Sequence, residues 1–178
     1  MRVYHSKSLR LFSILVLAMA APGLSLATAN RSKNAKIRMK LYQNASLHVK
    51  LMIPEGWKIH PTDKAVAFYS PYGAPALRAA LGIMKSSKSK LRIEKAAKDE
   101  FKAEGKPSEW EQTVTTIDHQ RTIRVTTPMK ANPSMKRLDF YVESSRGVYF
   151  IQCVAPREKW PHYDPVFTSI ISSLHFLP

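Results

Sequence analysis

The sequence predicts an α+β domain, on three observations: short β-type runs dominate, turn residues separate them at hairpin distances, and only two segments carry a helical apolar stripe. The chain has 178 residues, 44% hydrophobic and 23% charged, a globular composition long enough for one core. Its 28 Lys+Arg against 13 Asp+Glu give a formal charge of +15. Such an excess speaks to association with anionic partners rather than to fold.

The first segment reads as an address. Arg2, Lys7 and Arg10 precede an apolar run from Leu11 to Ala21, Pro22-Gly23 breaks that run, and Ala27-Thr28-Ala29 offers small residues to a signal peptidase. The run is shorter than the about 20 residues that span a bilayer. A secretory leader over 1–29, cleaved after Ala29, is therefore expected, giving a periplasmic or secreted protein with no transmembrane anchor after cleavage. No cysteine lies near the cut to carry a lipid. The leader holds three basic residues and no acidic one, so about +12 remains on the mature chain. Residues 30–40, with Arg31, Lys33, Lys36, Arg38, Lys40 and no acid, read as a flexible basic arm. Residues 41–178 read as a single domain. The lone Cys153 rules out an intrachain disulfide and reads as a small buried hydrophobe.

The elements follow in order. Leu41 to Pro54 is strand-like, with Leu47, Val49 and Leu51 alternating, and Pro54-Glu55-Gly56 turns the chain. Ala65 to Ser70 is a second β-type run, and Pro71 to Pro75 a loop. Ala76 to Met84 is compatible with strand or helix; the bounding Pro75 and internal Gly82 favour a buried strand. Ile93, Ala97 and Phe101 make a helical stripe within about Lys90 to Glu104, with Ser89 as N-cap and Gly105 closing it. Trp110 to Ile117 and Arg121 to Thr127 are strands around Asp118-His119-Gln120, and Lys130 to Ser134 is expected as a loop. Leu138, Phe140 and Val142 alternate with Asp139, Tyr141 and Glu143, and Val148 to Val154 returns as a hairpin partner. A last helix is expected to start with Asp164 as N-cap and Pro165 at its first position, with Phe167, Ile170, Ile171 and Leu174 facing the core.

Motifs that carry chemistry are scarce. Phosphate-binding glycine loops, dinucleotide fingerprints, His-Glu-x-x-His and Gly-x-Ser-x-Gly patterns are absent. Ser87 to Lys90 matches Ser-x-x-Lys without its companion motifs and reads as coincidence. His48, His60, His119, His162 and His175 are scattered, so a metal or hydrolytic site would have to be assembled by the fold. No catalytic residue, metal ligand or cofactor is assigned. Asn30-Arg31-Ser32 and Asn44-Ala45-Ser46 match glycosylation acceptors, relevant only in a eukaryotic host. The candidate partner-binding residues are Lys85, Lys88, Lys90 and Arg92 before the first helix, with Arg121 and Arg124. Nucleic acid is not expected as the physiological partner, because export separates the two and the basic clusters lack interleaved aromatics. An anionic protein surface, anionic lipid or lipopolysaccharide fits better.

Two stretches carry a family resemblance. Leu51-Met52-Ile53-Pro54-Glu55-Gly56-Trp57 resembles the opening of PsbP-like (PsbP- and DcrB-like) domains. Val148 to Cys153, then Tyr163, Pro165-Val166-Phe167 and Ile170 to Phe176, are similar to that family's last strand and closing helix. The resemblance spans about Leu41 to Phe176 and implies an α/β/α sandwich, an antiparallel sheet flanked by helices. It implies no catalytic residues. Family members include lumenal accessory subunits of photosystem II, a binder of a nuclear GTPase and bacterial envelope proteins, often lipoproteins. This chain has neither a transit peptide nor a lipoprotein cysteine. The expected function is a non-enzymatic, exported, peripheral accessory protein that docks through its basic surface. A photosystem II accessory subunit is the first alternative; a hydrolase or metal-binding protein with a fold-assembled site is the second.

Overall fold

Long strands in the second half of the chain, where residues of both parities are apolar, form the frame, since a strand covered on both faces must bury both. The computed structural model describes residues 37–62, 64–71, 78–84 (main chain only), 93–105 and 107–178. Among them the chain runs β1 (Met39–Asn44), β2 (Val49–Pro54), β3 (Lys58–Pro61), β4 (Ala65–Tyr69), β5 (Arg78–Met84), α1 (Ile93–Ala103), β6 (Glu111–Ile117), β7 (Gln120–Met129), β8 (Asn132–Ser144), β9 (Gly147–Pro156), α2 (Trp160–Ser172) and β10 (His175–Phe176). The proposed leader and most of the basic arm lie outside the described residues, as do the Ser89 cap and Ser87 to Lys90.

Seven strands form one sheet in the order β3-β4-β5-β9-β8-β7-β6, and β1-β2-β10 form a smaller one. Every strand pair is antiparallel. On one face of the large sheet Leu138, Phe140, Val142, Ile151 and Cys153 pack against Phe167, Ile170 and Ile171 of α2, and Leu47, Val49 and Leu51 bring the small sheet into the same core. On the other face Ile93, Ala96 and Ala97 of α1 cover Ile123, Val125, Tyr141 and Val148. The architecture is thus the antiparallel α/β/α sandwich. Hydrogen bonds that tie the small sheet in include those from the Tyr149 hydroxyl to Leu47 C=O at 2.8 Å, from Met52 N–H to Ser173 Oγ at 2.8 Å, and from Phe176 N–H to Asp118 Oδ2 at 2.7 Å.

Several boundaries differ from the sequence expectation. β1 starts at Met39, inside the stretch read as a basic arm, because Met39 pairs with Pro54 and packs on the core. Leu41 to Pro54 is a hairpin rather than one strand-like run; Leu47 N–H donates to Asn44 Oδ1 at 2.9 Å and His48 takes a φ of 51° to close the turn. The loop expected at Lys130 to Ser134 shrinks to a two-residue turn: β8 begins at Asn132, opposite Met129, and a register shift at Pro128/Met129 absorbs the irregularity. α2 begins at Trp160, with Pro161 in its first turn and Pro165 inside it. Burial of Tyr163 and ring contacts of Trp160 and Tyr163 with Phe167, at centroid distances of 5.8 and 6.2 Å, extend the apolar stripe backwards. That packing outweighs the hydrogen bond Pro165 cannot donate. Of the segment Ala76 to Met84, residues 78–84 form strand β5, hydrogen-bonded on both sides by β4 and β9, and the first two residues lie outside the described ones.

Candidate functional site

Basic residues adjacent in sequence are dispersed by strand geometry. Lys85, Lys88, Lys90 and Arg92 lie outside the described residues. Arg121 and Arg124 are an odd number apart on β7, so they point to opposite faces of the sheet. Arg121 lies on the α1 side, where it forms ion pairs with Glu94 and, at 3.6 Å, with Glu143. Arg124 sits half-buried on the α2 side, opposite Phe140. Lys136 rests over the Trp160 ring at 5.3 Å, and Lys130 Nζ donates to Ala103 C=O at 3.4 Å, closing the end of α1. The outer face of α1 holds exposed Lys95, Lys98 and Lys102 at helical spacing. Lys95 pairs with Asp99 at 2.6 Å, whereas Lys98 and Lys102 have no ion pair among the described residues. These two continue, by sequence, the run from Lys85 to Arg92.

Beneath α1 lies a charged cluster that sequence reading missed. Arg137 on β8, its side chain 5% exposed, donates from its two terminal nitrogens to Glu104 Oε1 and Glu100 Oε1, each at 3.1 Å. Its Nε stands 3.0 Å from Oδ2 of Asp139, which is 0% exposed, an ion pair without an aligned hydrogen bond. Asp139 Oδ1 accepts from Gln152 Nε2 of the adjacent β9 at 3.1 Å. Burial pushes the Asp139 carboxyl up to about 7, despite the opposing pull of Arg137 and the Gln152 hydrogen bond. The Tyr141 hydroxyl, also buried there, has no hydrogen-bond partner among the described residues and is pushed well above its usual value by desolvation and then by Asp139. One arginine thus meets three carboxylates, of which Glu100 on α1 and Glu104 just past its end join helix to sheet. The signal lay in the spacing: Arg137, Asp139 and Tyr141 share one face of β8, Leu138, Phe140 and Val142 between them face the α2 core, and α1, not water, covers the charged face.

The histidines fall on separate elements: His48 in the first turn, His60 on β3, His119 in the β6–β7 turn, His162 on α2 and His175 on β10. His175 Nδ1 lies 2.9 Å from Asp118 Oδ1. Burial raises the Asp118 carboxyl, but the Phe176 N–H and His175 outweigh it and hold the group below its ordinary value. Among the described residues no group of three or more His, Cys, Asp or Glu is arranged to hold a metal. Cys153 is fully buried, and burial raises its thiol far above the reactive range. Among the described residues no helix is long and apolar enough to cross a membrane.

No family model and no curated protein matches the sequence. Solved structures do match. The solution structure of the cyanobacterial PsbP, CyanoP, from Synechocystis sp. PCC 6803 is 13% identical with a TM-score of 0.58, covering 82% of this chain and 96% of that one. A protein of unknown function from Pseudomonas aeruginosa is 16% identical with a TM-score of 0.53, over 79% and 98% of the two chains. The Ran-binding protein Mog1p of Saccharomyces cerevisiae is 8% identical with a TM-score of 0.51, over 80% and 97%. At these identities the likeness is one of fold, and it makes this α+β sandwich PsbP-like.

Proposed function

We propose that the protein is an exported, non-enzymatic accessory protein that docks through a basic surface, formed by Lys98 and Lys102 on α1 and the preceding Lys85, Lys88, Lys90 and Arg92, onto an anionic envelope component or acidic protein. The observation that carries this reading is cationic charge the fold does not consume. Arg121, Arg137, Arg157 and Lys95 are held in ion pairs, yet Lys98 and Lys102 stand exposed on one helix face without one among the described residues. The secretory pattern of residues 1–29 and the lack of any recognisable catalytic motif support it, as does a fold shared with the Ran-binding protein Mog1p. Flotation with vesicles rich in anionic lipid, beside capture of acidic proteins from an envelope extract, tests it. Binding is expected to fall steeply with salt and to drop on Lys98→Glu with Lys102→Glu. Binding indifferent to salt and to both reversals would overturn it.

A second reading, a photosystem II accessory subunit, is favoured by the likeness to the cyanobacterial PsbP. A non-photosynthetic source organism would end it.

A further inference from the structure

The outer edge of β6 is unprotected among the described residues. β6 ends the seven-stranded sheet, and no described strand pairs with its far side. Residues Glu111 to Thr116 are all exposed, on both faces, and Val114 is 64% exposed. Natural edges are blunted by shortness, lysine, proline or a bulge. The opposite edge, β3, has four residues and carries Lys58 and Pro61. β6 has seven, with neither lysine nor proline, and its register with β7 is unbroken.

Its hydrogen-bonding groups are self-complementary. The turn Asp118-His119, both residues at positive φ, joins Ile117 to Gln120, and such a turn closes with the first carbonyl accepting the fourth N–H. From that pair the antiparallel ladder alternates, so Ile117, Thr115, Thr113 and Glu111 bond to β7. Gln112, Val114 and Thr116 direct their N–H and C=O groups outward. A second copy running antiparallel about a two-fold axis at Val114 matches every outward donor to an acceptor. Val114 then faces Val114, Gln112 faces Thr116, Thr113 faces Thr115 and Glu111 faces Ile117. Threonine pairs and β-branched pairs of this kind stabilise antiparallel ladders. No like charges stand opposite one another, and Glu111 falls diagonal to His119 of the other copy, twice by symmetry. We propose that β6 is a homodimer edge, through which two copies join their large sheets into one.

The test is sedimentation velocity over a concentration series, on protein purified as its own host processes it, in low and high salt. A reversible monomer–dimer equilibrium is expected. It should tighten with salt, because two strongly cationic copies repel, which is the opposite of the salt response of docking on an anionic partner. Val114→Lys should weaken the dimer at least about tenfold by setting two charges face to face. Val114→Pro should do the same by removing an outward N–H while sparing the ladder to β7. Amide exchange at Val114 and Thr116 should slow as concentration rises. A monomer at every concentration and salt overturns the proposal, and so does a dimer that both variants leave intact with their unfolding midpoints unchanged.

Discussion

Replacing Arg137 by methionine removes the cation from a site that still holds Asp139, Glu100 and Glu104. Two unit charges at the observed 3.0 Å interact by about 5 kcal/mol at an effective dielectric near 20. Part of that is recovered by relaxation, and breaking a buried pair by removing one partner costs about 3–5 kcal/mol. The cost depends on pH. In the folded chain the Asp139 carboxyl titrates near 7 against an ordinary value of 3.8, so between those values the folded state holds a proton the unfolded state lacks. Stability therefore falls as pH rises through that window, by up to about 4 kcal/mol from this one group. In Arg137→Met the carboxyl moves further up, since the arginine was holding it down. Urea unfolding should show a loss of about 3 kcal/mol or more at pH 8 and a clearly smaller one at pH 5, where Asp139 is neutral in both proteins. Asp139→Asn should flatten the pH dependence, and adding it to Arg137→Met should recover part of the loss. Equal losses at pH 5 and pH 8, or less than about 1 kcal/mol at pH 8, would refute the account of the cluster.

Other expectations rest on separate contacts. Asp118→Ala removes the acceptor of Phe176 N–H and the partner of His175, and should cost about 1–2 kcal/mol while speeding amide exchange at Phe176. Because the Asp118 carboxyl lies below its ordinary value in the folded chain, its contribution should be complete above about pH 5 and fade as pH falls through the folded value. Tyr149→Phe deletes a buried hydrogen bond to Leu47 C=O and should lower stability by about 1 kcal/mol with the fold intact by circular dichroism. Phe167→Ala empties a fully buried site between α2 and both sheets and should cost about 3–5 kcal/mol in chemical denaturation. Pro165→Ala restores an N–H within α2 at an exposed position and should raise the thermal midpoint, the lower helix propensity of proline outweighing the entropy the unfolded chain regains.

Periodicity made most elements legible. The alternation of Leu138, Phe140 and Val142, the stripe of Ile93, Ala97 and Phe101, and the apolar run ending in Val154 each report burial directly, so strand, helix and central hairpin could be read from residue types. Elements whose existence depends on a distant partner could not. β10 is two residues long and forms only because β2 and Asp118 receive it. The early start of α2 depends on Tyr163 meeting the core, which local propensity around Pro161 and Pro165 argues against. The charged cluster beneath α1 is hidden in the sequence for the same reason. Arg121, Arg124, Lys136 and Arg137 look like one basic cluster along the chain, but alternation sends them to two faces, and the presence of α1 decides that Arg137 is core rather than surface.

The proposed docking requires a protein that leaves the cytoplasm and is held at the envelope by charge. Fractionating the host's cells, sequencing the amino terminus of the protein and washing the envelope fraction with increasing salt tests it most directly. Export followed by electrostatic docking should give a mature chain beginning at Asn30, bound to the envelope in low salt and released by high salt. An intact Met1 in the cytosol, or a protein that stays on the membrane through high salt, would contradict it.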